Sequence, residues 1–298
     1  MSHPGQDSQR LDPAHALERA SARRPATKPK PKPLIKTAPT SADRRKRAEP
    51  DVPLATICRI VHMDEYLIVV NKNAGFPVVP SGPFQKRSVL LALAAAGHGP
   101  LFPVHLLDPE ATGLLLLSRT ELAAQALRWN WRSSLCTREF IAVLQGDIAG
   151  GRGRITRAIG ALQVGDHIRH DVVPGDQGGR NAVTSWCLLA RGKGMARVRV
   201  TLHAGRCRQI RAHFAAIGYP IVGDRNYARA RTDVPLGALV DLPTKYKEIE
   251  NLPRNQIALH CSRIELPHPA TQEMTVWQAP IPRAILALMP GAWIVNGA

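Results

Sequence analysis

The decapeptide Val104-His105-Leu106-Leu107-Asp108-Pro109-Glu110-Ala111-Thr112-Gly113 carries the first residue with evident chemical potential, Asp108. It is polar and turn-prone, and it leads directly into the run Leu114-Leu115-Leu116-Leu117. That run reads as a buried strand, so Asp108 is pinned at the mouth of a core element. A strand end holds a side chain more firmly than a free loop, which suits a carboxylate that must attack a substrate or take its proton. The competing reading is an Asx-Pro turn in which the side chain bonds its own backbone two residues on. Local sequence alone favours the turn.

A second group of reactive types is cationic: Gly205-Arg206-Cys207-Arg208-Gln209-Ile210-Arg211. Ile210, Phe214 and Ile217 fall at i, i+4 and i+7, one apolar stripe of a helix closed by Gly218. Arg208 and Arg211 are three apart and share a face. Three arginines in the first turns of a helix oppose its dipole. Cations placed where they cost stability imply an anionic partner, either a ligand or a buried carboxylate.

The elements that must hold these groups alternate between the two periodicities. Residues 57–61 and 67–70 read as strands and Asp64-Glu65 as the turn between them. Ser88 caps a helix to about Ala96 that ends at Gly97. Thr120 opens a helix to about Arg132, whose Trp129 and Trp131 are expected in the core. Residues 138–144 form a strand. Glycines 150, 151 and 153 make a flexible link, with Arg152, Arg154 and Arg157 as anion contacts or solvated cations. Residues 182–189 and 195–202 alternate as a hairpin, and Arg197 and Arg199 share one face. Residues 228–254 read as a surface excursion. Residues 257–260 and 274–277 are closing strands, and a short helix from Arg283 to about Met289 ends the body. Mixed signals with hairpins indicate an α+β fold more than a parallel α/β sheet.

Bulk properties narrow the partner. The 298 residues suffice for one large domain or two smaller ones, and 40 Lys and Arg against 23 Asp and Glu give +17. Residues 1–50 hold 12 Lys and Arg against 5 Asp and Glu, a net of +7, which leaves +10 on the rest. These first residues are poor in large apolar types and contain Lys28-Pro29-Lys30-Pro31-Lys32-Pro33, so a disordered basic tail is expected there. The folded body is then expected over residues 54–298. Cationic tail and body together point to nucleic acid, with the tail adding salt-sensitive affinity for phosphates. No apolar run approaches the roughly 20 residues of a membrane span, and the N-terminus lacks a signal peptide's apolar block. The five cysteines are odd in number and unlike metal ligands in spacing. A cytoplasmic chain with free thiols and no metal is expected.

In this order the segments resemble the RluA-type family of RNA pseudouridine synthases, from about Ile60 to Pro282. Val69-Val70-Asn71-Lys72-Asn73-Ala74-Gly75 looks like the family's strand ending in Asn-Lys-Pro-x-Gly. The stretch from His105 to Leu115 is similar to His-Arg-Leu-Asp-x-x-Thr-Ser-Gly-Leu-Leu. Gly205 to Arg211 resembles Gly-Arg-x-His-Gln-Ile-Arg and runs on to Gly218-Tyr219-Pro220-Ile221-Val222-Gly223-Asp224. Ala258-Leu259-His260 and His268-Pro269 are similar to the family's closing pair.

The resemblance implies a mixed, mostly antiparallel sheet with flanking helices, in two abutting subdomains around a cleft for RNA. It implies a reaction without metal or cofactor: a uridine's N-glycosidic bond breaks, the base rotates, and it rejoins the ribose through carbon. The uridine lies in ribosomal or transfer RNA and must leave the stack to react. Asp108 takes the place of the catalytic aspartate, and Arg211 of the arginine that keeps it ionised. Phe140 stands where the family has tyrosine, to stack on uracil at about 1–3 kcal/mol. Ile210 lines the pocket, His105 sits among the substrate contacts, and Lys72, Arg206 and the tail meet phosphates. Four positions depart from the pattern: Leu106 replaces arginine, Ala111-Thr112 replace Thr-Ser, Arg208 replaces histidine and Asn73 replaces proline. Arg208 is the candidate to supply a cation near Leu106. The expected state is a monomer. The alternatives are a catalytically silent RNA-binding protein or chaperone on the same scaffold, and a sequence-blind binder led by its tail.

Overall fold

The structure, a computed structural model, describes residues 52–81, 86–164, 167–202, 205–227, 249–290 and 293–294. The expected disordered tail and residues 228–248 of the surface excursion lie outside them. In chain order the elements are α1 (Leu54–Ile57), β1 (Cys58–Met63), β2 (Leu67–Lys72), α2 (Val89–Ala95), β3 (Phe102–Pro103), β4 (Thr112–Ser118), α3 (Glu121–Arg132) and β5 (Thr137–Gln145). Then follow β6 (Arg152–Thr156), β7 (Ile159–Val164), β8 (His167–Val172), β9 (Val183–Gly192), β10 (Met195–Leu202), α4 (Gln209–Ala216), β11 (Leu259–Pro267), β12 (Met274–Gln278), α5 (Arg283–Ala287) and β13 (Trp293–Ile294). The α+β reading holds.

Local signals set most boundaries. The Ser88 hydroxyl accepts from the Leu91 N–H at 3.3 Å and the Thr120 hydroxyl from the Ala123 N–H at 3.1 Å, so each satisfies an otherwise orphan donor of its helix. Gly97 stops α2 at φ 86°, a conformation that costs glycine nothing. The hairpin of β9 and β10 alternates buried and half-buried residues, as its period-two pattern demands.

Two half-sheets meet in one mixed sheet of eleven strands, with the main path β1-β2-β4-β11-β5-β10-β9-β13. All its named pairings are antiparallel except β4–β11, a parallel contact of only two residue pairs, Thr112 with His260 and Gly113 with Cys261. Gly113 makes that seam possible. Its φ is 111°, and a Cβ there would lie 2.3 Å from the Cys261 carbonyl oxygen. The Thr112 hydroxyl and His260 Nδ1 lock the seam at 2.9 Å. The seam follows Asp108 by four residues, so closing the sheet also sets where that carboxylate lies. Strand β4 is buried along its whole length, and Leu114, Leu115, Leu116 and Leu117 are all 0% exposed.

Three expectations need correction. The first strand starts at Cys58, because residues 54–57 make one helical turn closed by the Cys58 N–H on the Leu54 carbonyl. Trp129 is 78% exposed; α3 turns Ala123, Ala124, Leu127 and Asn130 inward, which leaves position 129 facing away. Gly153 belongs to β6 and opposes Trp186 of β9, so it is part of a strand and not of a flexible link. A side chain at 153 would meet the Trp186 ring.

Candidate active site

The loop before β4 forms the turn that Asp108-Pro109 announces, through the Ala111 N–H on the Asp108 carbonyl at 3.1 Å. The Asp108 carboxylate, however, meets two guanidinium groups. Arg211 Nη1 donates to Oδ2 at 3.0 Å, and Arg208 Nε lies 3.6 Å from Oδ1. The side chain keeps 19% exposure, enough for a substrate to reach it.

Arg211 is clamped from the other side. Its Nε donates to Asp224 Oδ2 at 2.6 Å and its Nη2 to Asp224 Oδ1 at 2.8 Å, the two-pronged geometry a planar guanidinium favours. Asp224 is 0% exposed and also accepts the backbone N–H groups of Asn226 and Tyr227. The Tyr227 ring lies 5.2 Å from the guanidinium carbon, and its hydroxyl donates to the His170 carbonyl on β8. Burial alone would push the Arg211 pKa down. The hydrogen bonds and charge of Asp224, then the charges of Asp108 and Glu110, outweigh it and hold Arg211 above its ordinary value. A permanently charged, immobile cation therefore faces Asp108.

The helix that carries Arg211 begins at Gln209, later than expected. Arg206 and Arg208 precede it, and Arg208 is the N-cap in left-handed backbone at φ 54°. Only Arg211 opposes the helix dipole, and its carboxylate partners offset that cost. Arg206 is half-buried; its Nε donates to the Asn181 carbonyl at 3.2 Å, while its backbone N–H is capped by the Gln209 side chain at 2.9 Å.

Lys72 corrects a sequence expectation. Its ammonium is fully buried and donates to the carbonyls of Asn73, Phe76 and Pro109 at 2.9, 2.9 and 3.0 Å, so it faces backbone and not phosphate. It ties the end of β2 to the residue after Asp108. Burial pushes its pKa down to about 7, against the upward pull of Asp108 and Glu110. Between about 7 and the ordinary 10.5 the native state then holds fewer protons than the unfolded chain, so Lys72's contribution to stability rises with pH over that window. The stability gap between wild type and Lys72→Met should therefore move in favour of wild type by up to about 1.4 kcal/mol per pH unit. Urea melts across that range read it directly. A flat gap would mean that the buried ammonium keeps its proton.

His105 is likewise structural in placement. Its Nε2 accepts the Leu116 N–H at 3.1 Å, and its ring stacks on Trp131 with centroids 4.0 Å apart. Burial, then the charge of Arg138, pushes its pKa down to about 3, so it is a neutral ring pinning the loop to β4 and not a cation for RNA. Phe140 lies on β5 between Val200 and Cys261, 9% exposed, and Ile210 is 5% exposed in the same apolar cluster. Leu106, two residues from Asp108, is 66% exposed.

Three comparisons bear on this geometry. A profile of the RNA pseudouridylate synthase family matches residues 66–216. An uncharacterised RNA pseudouridine synthase of Synechocystis is 32% identical over 75% of this chain and 65% of its own length. Ribosomal large subunit pseudouridine synthase D of Pseudomonas aeruginosa is 33% identical over 77% of this chain and 70% of its own. This chain belongs to the RluA-type family of RNA pseudouridine synthases.

The fold agrees. The human RNA pseudouridylate synthase domain containing 1 superposes with a TM-score of 0.62 at 20% identity, covering 82% of this chain and 91% of that one. Against this pseudouridine synthase frame, the sequence reading missed one residue of the clamp. Asp224 sits thirteen positions after Arg211. The only hint in the sequence is Gly223, whose φ of 88° turns the chain back toward the helix.

Proposed function

We propose that this chain isomerises uridine to pseudouridine in RNA of the large ribosomal subunit, with Asp108 as the catalytic carboxylate. The observation that carries the reading is the line Asp108–Arg211–Asp224. A half-accessible carboxylate stands on a buried cation that a second, fully buried carboxylate holds rigid. Such an arrangement keeps Asp108 ionised and aimed, as attack on a ribose or removal of a proton requires. Two relatives named ribosomal large subunit pseudouridine synthase D, from Pseudomonas aeruginosa and Vibrio cholerae, motivate the choice of RNA.

The N1–C1′ bond of the uridine breaks and a C5–C1′ bond forms. C5 loses a proton and N1 gains one, so composition is unchanged and no cofactor is consumed. Phe140 stacks on the displaced uracil and Ile210 lines its pocket. Arg206 and Arg208 meet phosphates, and the basic tail adds salt-dependent affinity. The chain acts as a cytoplasmic monomer without a metal.

The exposed Leu106 favours a second reading, an RNA-binding protein that has lost catalysis. Pseudouridine mapping of total RNA by carbodiimide adduct and primer extension separates the two. A site that vanishes on deletion and is not restored by Asp108→Asn names the substrate. Unchanged sites, or full restoration by the variant, give the lead to the silent binder. A lost site in transfer RNA would move the substrate class and leave the chemistry intact.

A further inference from the structure

A cavity of about 460 Å³ lies beside the clamp. Arg87, Arg225 and Arg254 line it together with Arg211, Glu110 and Gln256, while Asp108, Phe140 and Ile210 are not part of its wall. Two features of this wall ask for a ligand. Gln256 is 7% exposed, and its side-chain Nε2 is buried with no hydrogen-bond partner. Glu110 Oε2 is also buried without a hydrogen bond, and the nearest cation is Arg211 Nη1 at 3.6 Å. Buried polar groups left unmet are costly, and native proteins keep few of them without a functional reason.

We infer that this cavity takes one ribonucleotide of the bound RNA, distinct from the target uridine, and reads its base edge. The inference rests on the proposed action on RNA. The volume lies in the range of small-ligand pockets. Four arginines against one glutamate give the wall the charge of a phosphate site. Arg87, Arg225 and Arg254 already engage other groups, so what they supply here is field and not free donors. Recognition falls to the two orphan atoms, a donor on Gln256 and an acceptor on Glu110. Guanine is the base that sets two donors, N1–H and N2–H, beside one acceptor, O6. It therefore satisfies Glu110 and Gln256 together and binds best.

The placement couples this nucleotide to the chemistry. Arg211 Nη1 reaches both Asp108, at 3.0 Å, and Glu110, at 3.6 Å. A base that hydrogen-bonds Glu110 engages the carboxylate that shares this nitrogen with Asp108. A guanosine near the target uridine thereby becomes a determinant of which uridine is modified.

The test is equilibrium binding of 5′-GMP, AMP, CMP and UMP to the full chain by calorimetry, with no turnover involved. GMP should bind at least about tenfold more tightly than UMP, the discrimination a matched base edge supplies. Gln256→Leu and the size-conserving Gln256→Glu should each erase that preference while UMP binding stays where it was. Equal binding of all four nucleotides overturns the assignment, as does a GMP preference indifferent to both substitutions. A chain that prefers GMP in this way and yet modifies no uridine would sink the proposed catalysis and leave the subsite standing. A chain that modifies uridine without any base preference here would do the reverse.

Discussion

Asp108→Asn should lower single-turnover pseudouridine formation by at least about a thousandfold, the loss typical when the group that does the chemistry is removed. Asparagine matches aspartate in size and still accepts from Arg211 Nη1, which lies 3.0 Å from Oδ2 in the native chain. It can neither attack a ribose carbon nor hold a proton taken from it. Arg211 keeps its two-pronged bond to Asp224 in the variant, so the pocket should stay formed and RNA affinity should change by less than about threefold, since phosphate contacts dominate it. Release of tritium from RNA labelled at uracil C5 measures the chemical step, and filter binding measures affinity. A drop of only about tenfold would reduce Asp108 to a positioning role. A parallel collapse of affinity would mean that the carboxylate organises the RNA site instead of acting on the ribose.

Asp224→Ala should destabilise the fold by about 3–5 kcal/mol, the cost of stripping the partner from a buried cation. Arg211 is 2% exposed, so solvent does not replace the lost carboxylate, and the Asn226 and Tyr227 N–H groups lose their acceptor as well. Pairing this change with Arg211→Met should recover much of the loss, because no uncompensated charge then remains inside. Urea unfolding of the single and double variants at neutral pH reads both effects. A single-variant loss under about 1 kcal/mol would show that the cation finds another partner, and the rigidity ascribed to the clamp would fall with it. The distinction matters for function, because Asp224 touches no substrate. Its effect on catalysis should track the freedom it gives Arg211, and Asp224→Asn, which keeps one acceptor for the guanidinium, should rescue part of both stability and rate.

Much of the fold was legible in the residues. Ser88 and Thr120 announce their helices, the four leucines after Gly113 announce a buried strand, and the alternation over residues 183–202 announces the hairpin. Each is a local signal, readable because helix and strand periodicity act over a few residues. Asp108 and the arginines near 208 were legible as types out of place: an acid at a strand mouth and cations at the wrong end of a helix. The sequence by itself therefore determined which residues carry the chemistry.

Only the tertiary structure decided what each of them faces. The Asp108–Arg211 contact joins residues 103 apart in the chain, and it forms because the parallel seam between β4 and β11 brings two half-sheets together. The same closure buries Lys72 among carbonyls, spends His105 on the backbone of β4, and gives Arg211 its second acid in Asp224. A lysine that leaves a strand reads as a phosphate ligand until the fold removes it from water. An aspartate after a glycine reads as a turn until a guanidinium arrives. Burial and pairing arise from chain segments far apart in sequence, and local pattern carries no information about which of them will meet.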